Sequence, residues 1–436
     1  MTVDQILTLL VLVAVVGALI WDKLRPDVVA LTGAAVLLMT GVVRPVEAQS
    51  AFASPAIIAL ASLFVIAYAL ELSGLLDRAI ALAVRMCKRM GATGIWLLLA
   101  MIGAVSCFLN STPIVVLGAP VVRDVAQALK LSPKRFLIPL SYITVLTGCC
   151  TLIGTSTNLL VDDMATLAGQ PRFGIFEITP VGLCMAFVGG IYLYLVSPRL
   201  LGGQHEAEER QGDPGPLGPD HIASAQVGDA ELFAEPRPFQ PGKAIIALAT
   251  FAGAVALATA NVAPIAATAF AGAVLLILLR VITADEAYRG LKPEILILIA
   301  GMVVIGIAME ESGLANDASR VLISSVDGMS PLVALIILYL LTMILTELLS
   351  NATVAVLITP VAVALAESLA VSPRPFLVGV MMAASAAFAT PFGYQTNVIV
   401  YQMGGYRYMD FVRVGLPLNL ITCVAAIAAI QVFFPF

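Results

Sequence analysis

Long apolar runs make up most of the chain, and the polar positions that interrupt them gather into a few short clusters. Two clusters sit where no loop is expected. The first is Ser106-Cys107-Phe108-Leu109-Asn110-Ser111-Thr112-Pro113, and the second is Thr346-Glu347-Leu348-Leu349-Ser350-Asn351-Ala352-Thr353. Each is flanked by apolar runs of roughly 12–16 residues, too short to cross a hydrocarbon layer of about 30 Å and return. The pattern predicts two re-entrant hairpins, at 94–128 and 331–370, each turning at a polar tip. Polar backbone at membrane depth is tolerated only where it lines a cavity or is buried in protein.

The remaining runs predict spans at 5–21, 27–43, 56–73, 177–197, 243–260, 263–281, 292–312 and 412–435. Two longer runs, 134–168 and 376–403, are interrupted by Gly154-Thr155-Ser156-Thr157-Asn158 and by Gly393-Tyr394-Gln395-Thr396-Asn397, and are predicted to be broken helices. Amphipathic stretches at 75–90 and 313–327 precede the hairpins. The second half repeats the first. Ala69-Leu70-Glu71-Leu72-Ser73-Gly74-Leu75 matches Ala308-Met309-Glu310-Glu311-Ser312-Gly313-Leu314. Ser132-Pro133 and Phe136 match Ser372-Pro373 and Phe376. An offset of 239 or 240 throughout is the mark of an internal duplication. Each half then has an odd number of crossings, five, because a hairpin enters and leaves on one side. The halves are expected to run in opposite senses, as inverted repeats around a site near the midplane. The expected fold is an all-α polytopic membrane protein. A first inverted repeat spans 1–198, a polar linker 199–242 and a second inverted repeat 243–436.

Composition supports this class. The chain is 60% hydrophobic and 12% charged, with a mean hydropathy of +1.01, far from a soluble domain. No basic tract suggests nucleic acid. The linker holds Gly202-Gly203, Pro214, Pro216, Pro219 and both histidines, His205 and His221, a composition that does not support a packed core. Residues 1–5 carry Asp4 and no Lys or Arg, while Lys23 and Arg25 follow the first run. This argues for an uncleaved first span with its N-terminus outside. Tracing ten crossings places all but four of the 23 Lys and Arg on one side. Arg44, Arg172, Arg320 and Arg374 fall on the other. The positive-inside rule makes the populated side cytoplasmic. Both termini are then outside, the linker is inside, the first hairpin opens from the cytoplasm and the second from outside. The six cysteines show no metal or disulfide grouping and read as small packing residues.

Four polar clusters can therefore converge: two tips and two breaks. They offer the hydroxyls of Ser106, Ser111, Thr112, Thr155, Ser156, Thr346, Ser350 and Thr353, and the amides of Asn110, Asn351 and Gln395. Oxygen donors suit a hard monovalent cation, and N–H groups at helix N-termini suit an anion. The clusters contain no Lys or Arg, so an anion there needs helix dipoles and co-bound cations, which makes sodium coupling sensible. Glu347 lies one turn before Asn351, and its repeat partner is Cys107. A carboxylate at that depth is costly and is a candidate proton or charge site.

The paired motifs resemble the divalent-anion:sodium symporter family, within a wider ion transporter superfamily of citrate-transporter-like permeases. The likeness covers nearly the whole chain except 199–242. It implies a sodium site from Ser106, Asn110, Ser111 and the Gly154 backbone, and a second from Thr346, Ser350, Asn351 and the Gly393 backbone. It implies substrate contacts from Asn110, Ser111, Thr112, Thr155, Ser350, Asn351, Ala352, Tyr394 and Gln395, with Thr353 able to substitute for the hydroxyl absent at Ala352. It also implies a homodimer in the inner membrane, no cofactor, and sodium as the coupling ion. Tyr394-Gln395 stands where dicarboxylate members resemble Thr-Pro, which favours a compact anion.

The leading expectation is a secondary active transporter, not an enzyme, that moves a small divalent anion, sulfate-like or a dicarboxylate, with sodium. The alternative is a sodium/proton or other ion antiporter with Glu347 as proton carrier. An enzyme is disfavoured, because no His lies in a span and no nucleophile pattern is present.

Overall fold

The computed structural model describes every residue except 1, 22–23, 76–77, 79–90, 202–237, 261, 292, 315–329 and 392. Most of the linker and of both amphipathic stretches lies outside the described residues. The described residues are helical, with no strand among them.

The first half begins with α1 (Val3–Trp21), α2 (Pro26–Met39), α3 (Pro45–Phe52) and α4 (Pro55–Leu72). It continues with hairpin arms α5 (Ala92–Ser106) and α6 (Ser111–Ala128), a broken pair α7 (Lys134–Gly148) and α8 (Ser156–Leu167), and α9 (Thr179–Leu201). The second half opens with α10 (Pro241–Thr259), α11 (Ile265–Leu278), α12 (Ala284–Gly290) and α13 (Pro293–Glu311). Its hairpin arms are α14 (Pro331–Leu348) and α15 (Asn351–Ser368), its broken pair α16 (Arg374–Ser385) and α17 (Gln395–Gly404), and it ends on α18 (Tyr408–Phe433). Many of these helices start on proline, whose missing N–H costs nothing at a helix start. Two short helices, α3 and α12, were not expected. Both open on a residue whose backbone N–H bonds a Glu three positions on, Arg44 to Glu47 and Thr283 to Glu286. Such a short polar turn carries no apolar run to announce it.

Packing follows the same order in both halves. α2 lies on α13, and α4 lies on α11. α5 and α6 embrace α7, α14 and α15 embrace α16, and α9 lies along α18. The interior is one continuous apolar cluster with a smaller one around α4, α11 and α12. α16 is buried from Pro375 to Ser385, and α7 nearly as completely. Outward faces stay apolar: Phe187, Ile245, Leu278 and Val424 are all exposed, as expected for side chains meeting lipid. Among the described residues, five helical stretches are long and apolar enough to cross a membrane: Pro45–Leu72, Thr179–Leu201, Pro241–Thr259, Asn351–Ser368 and Tyr408–Phe433.

Buried polar groups on α7 find partners far along the chain. Pro139 has no N–H to give, so the Arg135 carbonyl is free and accepts from the Ser197 hydroxyl at 3.3 Å. The Tyr406 hydroxyl sits inside the α7 ladder, accepting from the Ile138 N–H at 3.1 Å and donating to the Lys134 carbonyl. The Tyr142 hydroxyl donates to the Phe388 carbonyl, and the Ser141 hydroxyl lies 2.7 Å from both Thr396 Oγ1 and Asn397 Oδ1. At the far end of the bundle, the Arg374 guanidinium donates to Glu177 and to the carbonyls of Pro171 and Arg172, and stacks 4.2 Å from the Phe173 ring centre.

Candidate functional site

The two tips solve one problem with exchanged residues. A helix starting inside the protein exposes N–H groups that need acceptors. At the first tip Asn110 is the cap of α6, its Oδ1 accepting the Thr112 N–H at 3.1 Å. At the second tip Ser350 caps α15, its Oγ accepting the Thr353 N–H at 3.2 Å. The next residue turns the other way in each case. Ser111 Oγ lies 3.0 Å from Ser106 Oγ, and both lie within 3.0 Å of the Thr144 carbonyl. Thr346 Oγ1 lies 2.8 Å from Asn351 Oδ1 and donates to the Ala384 carbonyl at 2.6 Å. Asn-Ser and Ser-Asn thus perform the same pair of tasks. Asn110 and Ser350 cap, while Ser111 and Asn351 complete an oxygen cluster. The Thr144 and Ala384 carbonyls had no signal in sequence, because any residue supplies one.

The breaks are tied by matching bonds. Asn158 Nδ2 donates to the Thr151 carbonyl at 3.0 Å, and Asn397 Nδ2 to the Thr390 carbonyl at 3.1 Å. The Gly154 N–H bonds Thr151 Oγ1 at 3.1 Å, and the Gly393 N–H bonds Thr390 Oγ1 at 2.9 Å. A Cβ at Gly154 would fall 2.4 Å from the Gly148 carbonyl oxygen and 2.5 Å from that of Cys107, so the first break rests directly on the first tip. A Cβ at Gly148 would meet Ser111 Oγ at 3.2 Å, the Gly154 carbonyl at 3.4 Å and the Ser106 carbonyl at 3.7 Å. Three oxygens thus face the space Gly148 leaves open. This all-oxygen donor set fits a hard cation.

The halves meet at the helix starts. Thr112 Oγ1 donates to Gln395 Oε1 at 3.2 Å. The hydroxyls of Thr155 and Tyr394, which occupy equivalent repeat positions, lie 3.5 Å apart. Thr155 caps α8 and Tyr394 precedes α17. The first turn of α6 and the starts of α8 and α17 are thereby brought together. The second hairpin meets the first half where α15 packs on α8. Ala352 is half-buried at the start of α15, and the Thr353 hydroxyl is buried, 2.7 Å from Ser350 Oγ. Gln395 and Ser350 stay exposed within an otherwise apolar chain.

Glu347 is occupied. Its Oε1 accepts from the Ala389 N–H at 2.7 Å and from Asn419 Nδ2 at 2.8 Å, and its Oε2 accepts from the Thr390 N–H at 3.0 Å. Three N–H donors suit an acceptor-only carboxylate. Asn419, on the last helix, carried no signal in sequence that linked it to this group.

A model of the citrate transporter family matches residues 16–371 and 348–436. An uncharacterized transporter of Synechocystis is 25% identical over 96% of this chain and 95% of its own length. Shorter matches join 35% of the chain to 18% of the sodium/sulfate cotransporter 1 of Chlamydomonas reinhardtii, at 32% identity. Another joins 34% of it to 29% of the sodium-dependent dicarboxylate transporter SdcS of Staphylococcus saprophyticus, at 31% identity. The crystal structure of the Alcanivorax borkumensis YdaH transporter shares the fold with a TM-score of 0.55 and 14% identity, covering 88% of this chain and 85% of that one. The chain is a multi-pass membrane transporter, not an enzyme, and it belongs to the citrate transporter family.

Proposed function

We propose that the chain is a secondary active transporter that carries a small divalent anion, sulfate-like or a dicarboxylate, together with sodium. The observation that carries this reading is the meeting of helix starts across the halves, through Thr112 with Gln395 and Thr155 with Tyr394. Helix starts present N–H groups and positive dipole ends, which favour an anion. The substrate would lie among Asn110, Ser111, Thr112, Thr155, Ser350, Asn351, Ala352, Thr353, Tyr394 and Gln395. One sodium would lie with Ser106, Ser111 and the Gly154 backbone near Asn110. The other would lie with Thr346, Asn351 and the Gly393 backbone near Ser350. Sodium bound behind each tip offsets the anion's charge, since neither cluster holds a basic side chain.

In this reading the halves are inverted repeats, 1–198 and 243–436, joined by a cytoplasmic linker, with both termini outside. The hairpins and breaks form the moving part, and the outer helices form a scaffold that pairs in a homodimer of the inner membrane. A proton antiporter working through Glu347 is less well supported, because its oxygens already accept three N–H groups.

The test is uptake of labelled sulfate and succinate into proteoliposomes, with and without an inward sodium gradient. Sodium-driven accumulation of either anion is expected. Exchange of sodium for protons with no anion uptake would overturn the proposal.

A further inference from the structure

The two oxygen clusters differ in one respect that the duplication does not predict. The segment before each break is tied to its own hairpin tip. In the first half the tie is neutral: the Thr151 hydroxyl donates to the Cys107 carbonyl. In the second half the equivalent Thr390, with Ala389, gives its N–H to the carboxylate of Glu347, the repeat counterpart of Cys107. Asn419 on α18 donates to the same carboxylate oxygen as Ala389. Glu347 directly follows Thr346, a member of the second cluster. A Cβ at Gly393 would lie 3.0 Å from Glu347 Oε2, so the carboxylate stands beside the second break.

We infer that Glu347 is a positioning residue that gives the second cation cluster a fixed negative charge, so that the two clusters are unequal and the second holds sodium more tightly. The inference rests on the sodium-coupled reading above. All three of its fixed partners are donors, which orients both oxygens and leaves the group to act through charge and position. A unit charge within a few ångström of a cation, inside a protein, is worth far more than in water. At the first cluster the equivalent position is Cys107, a thiol, and the tie there runs from a hydroxyl to a carbonyl. The asymmetry also gives the sites an order, with the charged one filled first.

The test measures cation binding apart from transport. Thermal unfolding of the purified full chain in detergent is followed against NaCl, with KCl holding ionic strength constant. The wild type is expected to be stabilised by sodium with a definite midpoint concentration. Glu347→Gln keeps the shape and removes the charge, and is expected to raise that midpoint about tenfold or more. Glu347→Asp keeps the charge and shortens the reach, and is expected to stay within about threefold of wild type. A group acting only as a structural brace would be hurt at least as much by the shorter Asp. Asn419→Ala, which removes one donor and leaves the charge, is expected to shift the midpoint only a few-fold and serves if Glu347→Gln does not fold. A wild-type chain indifferent to sodium would overturn the coupling reading itself. A sodium-stabilised wild type with unmoved midpoints in Glu347→Gln, or in Asn419→Ala where Glu347→Gln cannot be made, would leave that reading standing and overturn this inference.

Discussion

Tyr394 occupies the position that Thr155 holds in the other half, and the two hydroxyls face each other. A phenol where the first half has a small hydroxyl narrows the space between the helix starts and adds a donor to it. Tyr394→Thr is therefore expected to shift uptake toward succinate relative to sulfate by about tenfold, in the range that pocket shape commonly supplies. Measuring both anions on the same proteoliposomes checks this, and an unchanged ratio would remove Tyr394 from substrate choice. The hydroxyl and amide residues of the site were legible in sequence because a polar side chain inside an apolar run costs free energy unless it meets a partner there. Their division of labour was not legible. That Asn110 caps while Asn351 joins an oxygen cluster depends on which way each side chain turns, and identity alone does not carry that. The carbonyls of Thr144 and Ala384 were invisible for the same reason.

At the scale of elements, the hairpins and broken helices were readable because each interruption is polar and each flank is apolar. The tightness of their contact was not. Gly154 lies against two backbone oxygens, neither of which can swing aside. The neighbours of Gly393 are side-chain atoms: Ala387 Cβ at 2.9 Å, and Glu347 Oε2 and Thr390 Oγ1 at 3.0 Å. Gly154→Ala is thus expected to cost about 3 kcal/mol or more and nearly to abolish uptake, and Gly393→Ala to cost about 1 kcal/mol with part of the activity kept. Melting temperature and uptake rate for the two variants decide the matter, and equal damage would contradict it. Glycine recurs where the last helix of each half meets its break. A Cβ at Gly182 would fall 2.6 Å from Cys150 Cα, and one at Gly415 would fall 1.8 Å from the Phe388 carbonyl oxygen. The helices α3 and α12 are not legible in sequence because their length and mixed composition produce no periodic signal. The Thr283-to-Glu286 capping pair that opens α12 is seen only once the backbone is placed.

Over the whole molecule, the same order of elements appears twice, and partners exchange between the halves: α2 with α13, α4 with α11. Two contacts of this kind tie distant segments together. Arg374 bonds the Arg172 carbonyl at one end, and Tyr406, beside Arg407, bonds the Lys134 carbonyl at the other. Sidedness itself can be measured. Arg44 precedes α3, Arg289 lies in the equivalent α12, and both are exposed. In a cysteine-free background, Arg44→Cys is expected to react with a membrane-impermeant thiol reagent applied to intact cells, and Arg289→Cys to react only after lysis. Labelling of both from one side would exclude the inverted arrangement.

The hydroxyls of Ser141 and Tyr142 find their partners 255 and 246 residues later in the chain. At about 5–20 residues per second, a ribosome takes on the order of 10–50 seconds to make that stretch. For that interval α7 has left the ribosome carrying two polar groups with no permanent acceptor, in surroundings where an unpaired polar group is costly. The first half is therefore made long before it can be finished, and its central helix closes only when the second half arrives.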